Sequence, residues 1–474
     1  MGADTIDLTV EVLPFEGGRE AADVFDSVAR QPYSCFLDSS LRQQRLGRHS
    51  FIGFDPYLVL KTKGKNAVIE KRGGDTETRE CDPFDALRKA LKERRALQTW
   101  RDGSMPFNSG AIGYLAYELG RHIEKLPCGV EDDLGLPEMV FCFYDKAVRF
   151  DHVSERSELC VSAADSAGVR ELARDALDAL ETGPAPAGTV SFPESGMVGL
   201  ESGFEREEYL DAVRKVKEYI LAGDIYQANL SQRFSAPLRE EYWSLYRRLR
   251  VLNAAPFSAF LNMGDFAIAS SSPERYLEVR GSNVETRPIK GTRPRSHDPA
   301  EDSRMRAELL SSEKDRAELS MIIDLERNDL GRVCDYGTVR VDEHAVLESY
   351  ATVHHLVSTV TGRLLEGRDI VDLLRASFPG GSITGAPKIR SMEIIDELEP
   401  TERSVYTGAI GYIGFDGSTD LNIAIRTMIL SNGRAYWQVG GGIVADSDPE
   451  AEFEETLHKG RAMFDTVAGA KARS

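Results

Sequence analysis

Residues 1–180 are dominated by short runs of strand length broken by turn residues, and this pattern constrains the fold more than any other feature. "DLTVEVLPF", "HSFIGFDPYLVLKTKG", "NAVIEKRGG" and "MVFCFYDKAVRFDH" are each rich in β-branched and aromatic residues and bounded by Gly, Pro or Asp. Helical periodicity interrupts them at "CDPFDALRKALKERRAL" and "AGVRELARDALDALE". Antiparallel-looking strands with clustered helices predict an α+β fold rather than a regular βαβ alternation. From Glu181 to Gly203, "ETGPAPAGTVSFPESGMVGLESG" loses all periodicity to Gly, Pro and Ser. It is the natural linker between an N-terminal part, 1–180, and a second part, 204–470. The second part opens on a helical pattern, "EREEYLDAVRKVKEYILAGD". One short echo joins the two, "GAIGYLAYE" from Gly110 and "GAIGYIGFD" from Gly408, which reads as two similar strand-turn elements facing one another in one sandwich.

Composition narrows the class. The chain has 474 residues, 41% of them hydrophobic and 28% charged, as in a globular protein of two or three domains or one large one. A net charge of −19 opposes nucleic acid and anionic membrane as partners. It leaves room for a small anion in a pocket lined by arginines or holding a metal ion. The six cysteines (Cys35, Cys81, Cys128, Cys142, Cys160 and Cys334) form no CxxC pair, which reads as reduced thiols rather than a disulfide frame or zinc site. No secretory signal and no run of ~18 apolar residues is visible, so a cytoplasmic location is expected.

Several constellations could carry chemistry. "SSEKDRAELSMIIDLERNDL" puts Asp315 and Glu318 at i,i+3, and "PEAEFEETLHKGRAMFDTV" puts Glu452, Glu455 and Lys459 on one face of another helix. Either these are solvated faces, or the carboxylates turn inward and require a cation; oxygen ligands suit Mg²⁺. "FPGGSITGAPKIRSMEIIDEL" is a glycine-rich turn into a helix. It fails the Walker pattern because Ala386 and Pro387 separate Gly385 from Lys388, but it could cradle another anion. Gly440, Gly441 and Gly442 at a strand end mark either a bulge or the close approach of a ligand. His355 reads as a core histidine or as a catalytic one without an identified partner, and Glu274 as a turn carboxylate. Lys290, in "RPIKGTRPR", is a solvated charge, an anion clamp or a nucleophile. Arg287, Arg293 and Arg295 would lower its pKa if they lie close in space.

Taken together, "GRHSFIGFDP", "AGDIYQANLSQRF", "SSSPERYL", "RPIKGTRPR", "AELSMIIDLERNDLGRVC", "VHHLVS", "FPGGSITGAPK", "YTGAIGY", "LNIAIRTM" and "GGGIVADSDPEAEFEETLHK" resemble the chorismate-utilising enzymes, in family order. The resemblance implies an anthranilate-synthase-like fold, two orthogonal β-sheets in a sandwich flanked by helices. The active site would lie in the C-terminal part, with the N-terminal part joined to the same body. It implies Lys290 as a nucleophile, Glu274 as the acid that protonates a departing hydroxyl, and His355 as an assisting hydrogen-bonding group. Gln227 stands where water-using members carry a lysine, which implies a nucleophile other than water. Lys290 itself stands where members making anthranilate carry alanine. The lysine form resembles members that aminate chorismate at C4, toward 4-aminobenzoate and folate. Gly291, Thr292, Ser382, Tyr406, Arg426, Gly440, Gly441, Gly442 and Lys459 would join Gln227 in holding the substrate. Mg²⁺ would sit on Glu318 and Glu455, with Glu452 and Asp315 nearby. Ammonia would come from a separate glutamine amidotransferase subunit in a heterodimer. "YSCFLDSS" resembles the region where relatives bind tryptophan, with Asp38 near a position that carries glutamate in feedback-controlled members.

Overall fold

Strands buried on both faces lose the in-out alternation of a surface sheet and become continuously apolar. "MVFCFY" at Met139–Tyr144 and "AIGYIG" at Ala409–Gly414 are such strands, buried at every position. A computed structural model places them between two layers. It describes residues 5–469 apart from 16–18, 43–45, 97–105, 128, 185–189, 191, 193–198, 297 and 351–352. Cys128 and most of the expected linker fall outside the described residues.

Among the described residues there are two large sheets, of 13 and 12 strands. Each is built half from either end of the chain. In the first sheet Phe257–Asn262 pairs with Cys35–Asp38, and in the second Ala409–Gly414 pairs with Gly110–Leu115. The echoed segments are therefore hydrogen-bonded neighbours in one sheet, with Gly113 opposite Gly411, and not strands facing across the sandwich. Glycine is required at this crossing: a Cβ on Gly113 would lie 1.9 Å from the Val140 carbonyl oxygen, and one on Gly411 2.0 Å from that of Asp420.

The inner faces of the sheets share one apolar cluster, with Cys35, Phe51, Leu261 and Ile268 from the first sheet against Ile112, Tyr114, Val140 and Tyr412 from the second. Helices cover the outer faces. Ser166–Thr182, Tyr242–Leu252 and Pro449–Ala468 lie on the first sheet through Val169, Leu245, Leu249 and Met463. Pro83–Lys92, Glu313–Gly331 and Ile370–Ser377 lie on the second through Phe84, Leu87, Leu319, Ile323 and Leu374. The architecture is an α+β two-sheet sandwich. No described helix is long and apolar enough to cross a membrane.

Candidate active site

Two places where the chain leaves one sheet for the other create the site. Phe266–Ser272 belongs to the first sheet and Arg275–Arg280 to the second, so Pro273 and Glu274 form one crossing. Thr419–Ile423 and Thr427–Ser431 are divided the same way, and Arg426 ends that crossing with φ 51°. The crossings lie side by side, since the Ser271 amide donates to the Arg426 carbonyl at 3.1 Å. Neither loop needs its own helix or strand to position it, because both ends of each are anchored in sheets.

These crossings open onto a cavity of about 540 Å³ whose lining includes Lys290, Glu274, His355, Gly291, Thr292, Ser382, Tyr406, Arg426, Gly440, Gly442, Lys459, Glu318, Glu455, Glu452 and Asp315. Of the expected residues only Gln227 and Gly441 lie just behind the lining. A Cβ on Gly442 would fall 2.5 Å from Gln227 Nε2 and 3.4 Å from Lys290 Nζ, so one glycine separates the amide from the amine. A Cβ on Gly441 would fall 3.1 Å from Glu452 Oε2, 3.6 Å from Lys459 Nζ and 3.8 Å from Glu455 Oε1.

Lys290 lies on the edge strand Ile289–Pro294, which pairs with Val353–Arg363 and slips register between Lys290 and Thr292. Gly291 makes that bulge possible, with φ +76° and Asp315 Cγ 2.9 Å from where a Cβ would sit. Lys290, Gly291 and Thr292 all border the cavity. Thr292 Oγ1 lies 2.8 Å from His355 Nδ1, while His355 Nε2 is buried without a partner. Burial, with Arg426 nearby, pulls the His355 pKa down to about 3, so the ring is neutral.

The Lys290 ammonium makes no hydrogen bond to the described residues. Burial pulls its pKa below 10.5, Glu318 opposes that pull and Lys459 reinforces it. The expected arginines act elsewhere. Arg287 turns to Glu343 and Glu348, Arg295 to Asp302, and Arg293 to Glu308 and Asp315. Each is held by a stronger carboxylate partner of its own, and the amine is depressed chiefly by loss of water.

Glu274 is 5% exposed rather than a surface carboxylate. Burial raises its pKa, against the Ser382 hydroxyl, Lys290 and the Ile289 amide, all of which favour the charged form. Arg426 is half-buried, and Tyr406 takes a hydrogen bond from Asn229.

The four acids reach one end of the cavity from the expected helices, Glu313–Gly331 and Pro449–Ala468. Burial raises Glu318 and Glu452. It also acts to raise Glu455, but Lys459, 2.7 Å away, outweighs it and lowers that carboxyl. Asp315 is engaged by Arg293 at 3.4 Å. Among the described residues no three acids are close enough to clasp an ion by themselves. Mg²⁺ takes only one or two carboxylates beside water and substrate oxygens, so opposed carboxylates that repel one another beside a glycine-cleared space fit it.

The cavity residues that lay outside the expectation include Asn229, Lys314 and Gln438. Asn229 follows Gln227 by two on the strand Gln227–Pro237, and that period was the available signal. The side-chain oxygens of Gln227 and Gln438 are buried without partners, which buried amides rarely tolerate without a ligand.

The glycine-rich turn is not an anion cradle at Lys388. That ammonium turns inward to Asp329 at 2.6 Å and to the Ser377 and Pro379 carbonyls, both at 2.9 Å. A second cavity, of about 210 Å³, lies between the sheets beside Leu37, Asp38 and Tyr412, in the region expected to resemble a tryptophan pocket. There the Asp38 carboxylate already accepts from Arg250 at 2.8 Å and Tyr246 at 3.0 Å.

Residues 33–465 match the family described as chorismate binding enzyme, and the chain belongs to that family. It is 42% identical over 436 residues to aminodeoxychorismate synthase component 1 of Klebsiella aerogenes, covering 92% of this chain and 94% of that one. It is 43% identical over 442 residues to anthranilate synthase component 1 of Streptomyces coelicolor, covering 90% and 82%. Among solved structures, anthranilate synthase component I from Streptococcus pneumoniae superposes with a TM-score of 0.79 at 34% identity, covering 90% of this chain and 93% of that one.

Proposed function

We propose that the protein converts chorismate and ammonia to 4-amino-4-deoxychorismate through a covalent adduct on Lys290. The observation that carries this reading is the half-buried Lys290 amine, depressed by desolvation, in one cavity with Glu274 and His355. An amine attacks only when unprotonated, and a pocket that disfavours its charge supplies that state at lower pH. In the first step the amine bonds to ring C2, the double bonds shift, and the C4–O bond breaks. Glu274 gives its proton to the departing oxygen, which leaves as water. The adduct nitrogen returns a proton to Glu274. Ammonia then bonds to C4, the double bonds shift back, and the C2–N bond breaks as the lysine regains its proton. Ammonia's surplus proton returns to Glu274, which restores the acid for the next turnover.

Neutral His355 offers Nε2 toward the ring, and Arg426 and Lys459 supply charge for the two substrate carboxylates. Glu318 and Glu455 would hold Mg²⁺, with Glu452 and Asp315 close by; when bound it would offset the charge of a substrate carboxylate. The "component 1" in the relatives' names supports a second subunit, which we read as a glutamine amidotransferase delivering ammonia.

The test is product identification by mass spectrometry after incubation with chorismate, Mg²⁺ and ammonium. The expected product yields 4-aminobenzoate only after a lyase is added, and a chorismate-derived mass should be trapped on Lys290. Direct formation of anthranilate without a 4-amino product rejects the reading. It would favour the alternative supported by the near-equal identity to anthranilate synthase components.

A further inference from the structure

Behind the cavity wall lies a carboxyl that the proposed reaction does not use. Glu326 projects from the same helix as Glu318, is 8% exposed, and its Oε2 has no hydrogen-bond partner. The helix rests on the Gly381–Ile383 turn: a Cβ on Gly381 would fall 3.2 Å from Leu325 Cβ and 3.9 Å from Glu326 Cγ. The next residue of that turn, Ser382, hydrogen-bonds Glu274, so the two carboxyls flank one turn. The charged groups facing Glu326 are Glu274, Asp329 and Lys388, with the Thr286 hydroxyl beside them. Lys388 is already committed to Asp329 and two carbonyls. A carboxylate at this position would have no counter-ion of its own, and burial followed by Glu274 and Asp329 raises its pKa well above 4.5. Burial without a counter-ion pushes the Glu326 carboxyl toward its uncharged form, and its buried Oε2 is left without a hydrogen-bond partner.

We propose that Glu326 is a positioning residue that offers its hydroxyl to the Glu274 carboxylate once Glu274 has released its proton to the leaving group. No covalent bond is made or broken at Glu326; the donor stabilises the conjugate base and is released when the proton returns. The inference rests on Glu274 being the acid. It does not depend on which amino product forms, because loss of the C4 hydroxyl is common to both.

Glu326→Gln and Glu326→Met are to be compared by chorismate consumption against pH. Glutamine keeps an uncharged donor, so kcat should stay within about 3-fold with the alkaline limb unmoved. Methionine removes the donor, so kcat should fall about 10-fold or more. With methionine the KM for chorismate should hold, and the alkaline limb should move to higher pH because the Glu274 carboxylate has lost a stabilising hydrogen bond. If methionine behaves like glutamine, or if glutamine moves the limb to lower pH, the proposal is overturned. Infrared difference spectra give a readout independent of turnover. At neutral pH the parent should show a protonated-carboxyl band that Glu326→Gln lacks, and its absence from the parent also overturns the proposal. A Glu274→Gln variant that keeps full turnover would instead sink the acid assignment itself.

Discussion

Lys290 must lose a proton before it can attack, and the same burial that favours this loss burdens the folded chain. Between its lowered folded pKa and the ordinary 10.5, the unfolded chain binds the extra proton, so folding stability rises with pH across that window. Below the folded pKa the penalty is present in full. Lys290→Met removes it. In metal-free buffer the variant should be more stable than the parent at pH 7, and its advantage should shrink as pH approaches 10.5, as read from denaturant midpoints. An advantage that stays constant with pH would mean the amine is not depressed. Burial also lowers His355, but far enough to take it out of the working range. With a pKa near 3 it is neutral at every pH of interest, so it contributes a hydrogen bond and not a titration. His355→Ala should lower kcat by about 10²-fold while leaving the shape of the rate profile between about pH 5 and 8 unchanged. A lost inflection in that window would show that the ring titrates during turnover.

At the level of the strand, the three glycines of Arg434–Ile443 are not equivalent. A methyl at Gly442 would meet the Gln227 amide at 2.5 Å, a contact that must push the amide or the nearby Lys290 amine aside. Gly442→Ala should therefore cost about 10²-fold in kcat/KM with little change in melting temperature, since a misplaced reacting group is costly even where the fold tolerates the change. A methyl at Gly441 would sit 3.1 Å from Glu452 Oε2, among the acids instead of beside the amine. Gly441→Ala should raise the Mg²⁺ concentration for half-maximal rate by about 10-fold, and equal effects of the two alanines would contradict this division of labour. Periodicity made much of this legible. The i,i+3 acids declared their helices, and the glycine run its strand. The bulge at Gly291 was not legible, because register depends on the partner strand Val353–Arg363, remote in sequence. The expectation for Arg287, Arg293 and Arg295 failed for a related reason: charge spacing along the chain does not reveal which carboxylate each guanidinium meets across sheets. Glu326 was hidden because a helix pattern marks it as one more charge, whereas packing against Gly381 buries it.

For the molecule as a whole, the exchange of strands between halves outweighs the break in composition from Glu181 to Gly203. A chain divided there would leave Phe257–Asn262 without Cys35–Asp38 in one sheet, and Ala409–Gly414 without Gly110–Leu115 in the other. Each half would present two unpaired central edges together with its share of the apolar cluster that holds Phe51, Ile112, Leu261 and Tyr412. Exposed edges of that kind pair with other chains and aggregate. The candidate active-site residues all lie in the second half, yet the Ala409–Gly414 strand that follows Tyr406 is held in place by the first. The Arg403 and Ser404 amides likewise donate to the buried carboxylate of Glu118. The intact chain should therefore unfold in one calorimetric transition. Residues 1–183 and 199–474 expressed separately should be insoluble and inactive, whereas co-expression should restore a soluble complex that consumes chorismate. Two separated transitions, or turnover by 199–474 alone, would show that the halves are independent domains and that the first contributes nothing to the geometry around Lys290.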